Sequence, residues 1–151
     1  MSNGQLVVKC HRRGNIKYSF MYFVDLSPYT YLNRPPDPNL VTIGWLDAEH
    51  EFPKGKVPND VLEKILALCF IPVNQTRGFH LSAFLSSPSL SSYIVDYKGK
   101  KMGLGSAEIR VKGKNGKTYA APNLIYHYIK DCGYLPPPAF VDAVTTMDLI
   151  Q

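Results

Sequence analysis

Residues 107–121, AEIRVKGKNGKTYAA, predict a β-hairpin around which the other elements can be placed. Small or apolar residues at 107, 109 and 111 alternate with charged residues at 108, 110 and 112, which indicates a half-buried antiparallel strand with its charged residues facing away from the core. Asn115-Gly116 favours a type I′ turn, because both central residues of that turn need a positive φ. Residues 117–121 are then the return strand.

Helical and strand patterns surround this hairpin. The first helix begins after Pro58 and carries apolar residues at helical spacing, and Gly133 is a natural end for the second helix. Further strands are predicted at 5–9, 18–24, 41–46 and 93–97, with a turn at 98–101, and helices at 59–69, 123–132 and 139–146. This order predicts an α+β fold, an antiparallel sheet including the 107–121 hairpin with about three helices packed on it.

Length and composition indicate one globular domain over residues 1–151. The chain is 45% hydrophobic and 19% charged, which excludes the disordered class. The prolines of residues 26–39 predict irregular chain, and Tyr29 and Tyr31 favour its packing onto the domain; disorder is the competing interpretation.

Cysteine content and hydropathy favour a soluble, cytoplasmic protein. The three cysteines, Cys10, Cys69 and Cys132, are an odd number without regular spacing, so they predict passive or core thiols, not a disulfide framework. The first residues contain no apolar segment of signal-peptide length. The longest apolar run, residues 65–73, is too short to span a bilayer, so no membrane partner is expected.

Positive charge is concentrated in residues 98–117. This segment has seven basic residues and one acid, whereas the remaining chain has 10 basic and 11 acidic residues. The sequence predicts one cationic hairpin that binds an acidic protein partner. Its candidate contacts are Lys98, Lys100, Lys101, Arg110, Lys112, Lys114 and Lys117.

Two other interpretations of these cations stay open. The lysines suit contacts with nucleic-acid phosphates, with Tyr97 or Tyr119 stacking on bases. Alternatively, they protect an edge hairpin from aggregation. Tyr29 and Trp45 are predicted as aromatic anchors of a protein interface, and core packing is the competing role for Trp45.

Several sequence blocks resemble a known family. They are YFVDLSPY at 22–29, GWLD at 44–47, TRGFH at 76–80 and YAAPNLIYHYI at 119–129. In this order they resemble a family of small, stand-alone bacterial proteins of unknown function. The resemblance covers residues 22–144 and leaves 1–21 as an N-terminal extension. It implies no established activity.

The resemblance includes one departure. Many members of that family carry a Cys-x-x-Cys pair after the position of His80 and a histidine at the position of Cys132, a set that suits zinc. Here Ser82 and Leu85 stand at the paired positions. The resemblance therefore implies that this chain has lost such a site. No cofactor is expected, and His80, Cys132 and His50 are only weak metal candidates.

No catalytic motif is apparent. Asp47, Glu49 and His50 suggest acid–base or metal chemistry, but a solvated turn is the competing interpretation because neighbouring strand residues face opposite ways. Cys132 follows His127 by five positions, a poor spacing for a shared helix face. A non-enzymatic protein is therefore expected.

The sequence favours a small cytoplasmic protein-binding inhibitor, an immunity protein that neutralises a bacterial toxin domain. The alternative is a nucleic-acid-binding protein that uses the basic hairpin. A third hypothesis is a metal-dependent enzyme of unknown reaction.

Overall fold

The computed structural model describes residues 22–30, 37–47, 49–74 and 93–147. The strand predicted at 5–9, residues 18–21 of the next predicted strand, and Tyr31, His80, Ser82 and Leu85 lie outside these ranges. Residues 22–24 are described and are not in a strand, so that part of the prediction is wrong. Phe23 N instead donates a single hydrogen bond to the Trp45 carbonyl at 3.2 Å.

The structure confirms an α+β fold with three helices and five strands in the described ranges. In chain order the elements are β1 (Leu40–Thr42), α1 (Asn59–Cys69), β2 (Tyr93–Tyr97), β3 (Lys100–Leu104), β4 (Glu108–Lys112), β5 (Thr118–Pro122), α2 (Ile125–Cys132) and α3 (Pro138–Thr146). No helix in these ranges has the length and apolarity needed to cross a membrane.

The predicted hairpin is β4–β5. The two strands are antiparallel, with Ile109 opposite Ala121 and Val111 opposite Tyr119. The prediction of a type I′ turn at Asn115-Gly116 is wrong: Gly116 has a φ of +79°, but Asn115 does not have a positive φ. Gly113 N donates to the Lys117 carbonyl at 2.8 Å, so the connecting loop consists of the three residues 114–116. On its other side β5 pairs with β1 in parallel, which gives the sheet order β1-β5-β4. A parallel neighbour needs a long crossover, and the intervening elements α1 to β4 supply it.

A second hairpin, β2–β3, was not predicted in full. The expected turn at 98–101 is shorter, because Lys98 and Gly99 both adopt positive φ, 51° and 79°, and complete it alone. Asp96 Oδ1 accepts a hydrogen bond from Gly99 N at 3.2 Å, which stabilises the turn. The chain therefore re-enters a strand at Lys100, and this hairpin forms a separate two-stranded sheet.

α1 and α3 pack against β4 of the larger sheet, and α2 packs against α1. α1 matches the predicted bounds, and its apolar face is buried through Val61, Ile65 and Cys69. Lys64 Nζ donates to the carbonyls of Thr145 and Met147 at 2.7 and 3.2 Å, which satisfies acceptors at the end of α3.

The opposite face of β5 is also covered. Tyr29 and Trp45 pack around Ala120 in a second apolar cluster, with Phe23 and Leu40 at its margin. Trp45 Nε1 donates to the Ala120 carbonyl at 3.0 Å. β5 is therefore enclosed on both faces and paired on both edges.

Candidate functional site

The structure divides the predicted cationic residues between two hairpins. Lys98, Lys100 and Lys101, here the first lysine group, lie at the β2–β3 turn. Lys112, Lys114 and Lys117, the second lysine group, lie at the β4–β5 turn. The two turns belong to different sheets, so the prediction of one cationic hairpin is wrong. The sequence pattern did not reveal that Lys98 adopts a positive φ and so begins the turn of a separate hairpin.

Both lysine groups lie at the surface. Five of the six are exposed and Lys117 is half-buried. Among the described residues no carboxylate lies within 4.0 Å of their ammonium groups. Lys98 Nζ lies 5.3 Å from the Tyr97 ring centroid, and Asp96 is the cross-strand neighbour of Lys101. These lysines are consequently available for an external anion.

Asn115 organises the second turn. Its Oδ1 accepts a hydrogen bond from Lys117 N at 3.1 Å, and its Nδ2 donates to Tyr119 Oη at 3.2 Å. Gly113 N donates to the Lys117 carbonyl at 2.8 Å and closes the hairpin. The second lysine group therefore projects from an ordered turn, which lowers the entropy cost of binding.

A cavity of about 380 Å³ lies between this turn and α3. Its polar lining is Lys114, Asn115, Tyr119, Asp142, Thr145 and Thr146. Ala139, Ala143 and the Tyr119 ring add apolar surface to the lining, so the cavity is amphipathic.

Arg110 does not belong with the free cations. Its Nη1 donates to Glu108 Oε1 at 2.8 Å, and its guanidinium carbon lies 5.0 Å from the Tyr29 ring centroid. Its side chain is only 20% exposed. Tyr29 and Trp45 are also buried, so the described structure places these three predicted contacts inside the domain.

Glu108 was expected to face away from the core, but it is buried. Tyr29 covers it, and the Tyr29 hydroxyl donates to Glu108 Oε2 at 2.9 Å. Each carboxylate oxygen thus has its own donor, one from Tyr29 and one from Arg110. Burial first, and the Glu108 carboxylate second, raise the pKa of Tyr29 to about 12.

The raised pKa predicts a specific alkaline sensitivity. The folded-state pKa of Tyr29 exceeds its ordinary value of 10.0, so its contribution to stability is complete below pH 10 and is lost as the pH rises toward about 12. Between pH 9 and 11 this loss is about 1 kcal/mol. Urea unfolding of the wild type and Tyr29→Phe at both values measures it. The variant should lose less free energy of unfolding; equal losses would contradict the assignment.

Asp47 and His50 do come together. His50 Nδ1 lies 2.7 Å from Asp47 Oδ1, and the same oxygen accepts the backbone N–H groups of Glu49 and His50 at 3.2 and 3.0 Å. The His50 ring stacks on Tyr22 with centroids 3.7 Å apart. The chain turns here, so strand alternation does not apply. The Glu49 side chain is exposed, and its main-chain N–H contributes to the turn that the Asp47 carboxylate closes. This arrangement favours the interpretation of a solvated turn over a catalytic site.

Sequence reasoning missed the environment of His127. This fully buried histidine lies 2.8 Å from Asp131 Oδ2 through Nδ1, and its Nε2 lies 3.9 Å from Cys132 Sγ. The i,i+4 spacing of His127 and Asp131 was the signal in the sequence that could have indicated this contact.

Cys132 is disulfide-bonded, so the expectation of a passive thiol there is wrong. Cys69 is a free, buried thiol as expected, and burial raises its pKa to about 12.

The metal candidates are not assembled in the described ranges. Within those ranges no group of three or more His, Cys, Asp or Glu side chains is placed to hold a metal ion. His50 is paired with Asp47, Cys132 is in a disulfide, and His80 lies outside the ranges.

Comparison with known proteins gives a family but no activity. No curated protein and no solved structure matches the chain. Residues 21–145 match a family described as Domain of unknown function (DUF7919), which confirms the expectation of a family of unknown function. The chain therefore belongs to the Domain of unknown function (DUF7919) family.

Proposed function

We propose that this protein works by binding an acidic protein partner through the second lysine group. The observation that carries the proposal is the ordered β4–β5 turn, from which Lys112, Lys114 and Lys117 project without a carboxylate within 4.0 Å in the described ranges. Cations carried on a turn whose main chain is already ordered favour fast, selective association with an acidic surface.

The biological form that we propose is inhibition, with this chain as an immunity protein that neutralises a bacterial toxin domain in the cytoplasm. A cationic projection of this kind suits the blocking of an acidic cleft. The Cys132 disulfide is the observation that opposes a cytoplasmic location, because disulfides persist mainly in oxidising compartments. Counting free thiols in protein extracted under alkylating conditions tests this: three free thiols per chain would agree with a reducing cytoplasm, and fewer would indicate an oxidising compartment.

Charge reversal tests the binding surface. The variant Lys112→Glu/Lys114→Glu/Lys117→Glu should keep the wild-type circular dichroism spectrum and bind poly-L-glutamate at least about tenfold more weakly, since each lost contact with a charged group removes a sizeable part of the affinity. The matched control reverses Lys54, Lys56 and Lys130, which are exposed and change the net charge equally. Equal losses in both variants would remove the second lysine group from the proposal.

The same proteins separate a protein partner from nucleic acid. A 20-base-pair DNA duplex that binds as tightly as poly-L-glutamate at low salt, and whose affinity falls steeply as salt rises, would favour the nucleic-acid alternative.

Inhibition is tested by co-expression with the product of the adjacent gene. The wild type should restore growth and the triple lysine variant should not; a harmless neighbour would contradict the immunity role.

A further inference from the structure

The main-chain groups of β4 alternate between two directions. The Ala107 carbonyl accepts from Asn123 N at 3.0 Å and Gly113 N donates to the Lys117 carbonyl at 2.8 Å, so the main-chain groups of odd-numbered residues in this segment face β5. Glu108 does the opposite. Its N–H and carbonyl both bond to Val73, each at 2.9 Å, on the other edge of the strand. Arg110 and Lys112 are even-numbered like Glu108, and main-chain directions alternate along a strand. Their N–H and carbonyl groups therefore also point to the edge of β4 that faces away from β5.

Only the first position of this outer edge is occupied. Val73 covers Glu108, whereas the main-chain N–H and carbonyl of Arg110 and Lys112 have no hydrogen-bond partner on that side in the part of the chain that the structure describes. Two donors and two acceptors are thus presented at regular spacing. An edge of this kind can accept an added strand from another chain.

Charge identifies the type of strand. Lys112 is exposed on β4, Lys114 follows it, and the charge of Arg110 is already neutralised by Glu108. A second copy pairing antiparallel here would bring its own lysines against these, and like charges across a strand pair are destabilising. An acidic segment would instead place carboxylates beside the second lysine group.

We propose that the open edge of β4 at Arg110 and Lys112 is a docking site for an extended acidic segment of the partner protein, which adds to the sheet as an antiparallel strand beyond Val73. This inference rests on the proposed function and specifies its binding mode. The second lysine group selects the acidic side chains, and the main chain of Arg110 and Lys112 fixes the direction and register.

Two peptides with identical side chains test the binding mode. The first is the acetylated, amidated heptapeptide Glu-Val-Glu-Val-Glu-Val-Glu, and the second carries an N-methyl group on every amide. Because the second has no main-chain donor, it should bind at least about tenfold more weakly in a fluorescence titration. Amide hydrogen exchange gives an independent readout at each residue. In the free protein Arg110 and Lys112 should exchange roughly a hundredfold faster than Ile109 and Val111, and the first peptide should slow them.

The outcomes separate this inference from the proposed function. Equal binding of both peptides, lost in the triple lysine variant, would overturn strand addition and leave acidic-partner binding intact. Slow exchange of Arg110 and Lys112 in the free protein would show that the edge is covered and would also overturn it. Protection of these amides that rises with protein concentration, together with dimers in sedimentation, would assign the edge to a second copy instead. Absence of binding by either peptide, with exchange unchanged, would likewise overturn it.

Discussion

Replacing Arg110 by methionine is expected to lower the free energy of unfolding by about 3 kcal/mol. Glu108 is only 2% exposed, and one of its oxygens depends on the Arg110 guanidinium at 2.8 Å. Removal of that cation leaves a buried carboxylate with the Tyr29 hydroxyl as its remaining donor in this network. The contact between the guanidinium and the Tyr29 ring is lost in the same step.

A double-mutant cycle isolates the pair. Glu108→Gln combined with Arg110→Met removes both charges, so the double variant should be more stable than Arg110→Met alone. Lys112→Met is the control, because Lys112 is exposed two residues further along the same strand; its effect should stay within about 0.5 kcal/mol. Urea unfolding of the four variants supplies the measurements. An Arg110→Met effect as small as that of Lys112→Met would return Arg110 to the candidate binding surface.

Replacing Gly44 by alanine is expected to cost about 3 kcal/mol, from a left-handed backbone and a steric clash together. Gly44 has a φ of +74°, and an added Cβ would lie 2.9 Å from Ile125 Cδ1 and 3.0 Å from its Cγ1. Ile125 is fully buried at the start of α2, so it has no room to move aside. Asp25 Oδ1 also accepts the Gly44 N–H at 3.0 Å, which holds this segment in place.

Gly133 provides a control with the same backbone conformation. Its φ is +73°, but an added Cβ there would meet no atom within 4 Å. Gly133→Ala should therefore show the backbone cost alone, about 1 kcal/mol. Trimming the neighbour in Gly44→Ala/Ile125→Val should recover part of the difference. Thermal or urea unfolding gives each value, and equal effects of the two alanine variants would show that the contact with Ile125 contributes nothing.

Local features of the sequence were read correctly where short-range physics decides the structure. α1 has the predicted bounds, the strands on either side of Asn115 and Gly116 pair as a hairpin, and Gly133 ends α2 in a left-handed conformation. Each of these depends on residues within a few positions of one another. The α+β class followed from them.

Features that depend on distant residues were not predictable. The parallel pairing of β1 with β5 and the burial of Glu108 under Tyr29 join residues far apart in the sequence. β3 was missed because its lysines at 100 and 101 and Gly103 lack an alternating pattern. For the candidate site, the lysines were identified, but their separation onto two sheets depends on β3 pairing with β2 and not with β4, which the sequence pattern does not indicate.

The central position of β5 has a consequence for synthesis of the protein. β5 ends at Pro122 and is paired on one side with β1, formed by residues near position 40, and on the other with β4. A nascent chain therefore cannot complete this sheet until most of the molecule has left the ribosome. Until then β1 lacks its partner strand, so the sheet should close only after residues 118–122 have left the ribosome.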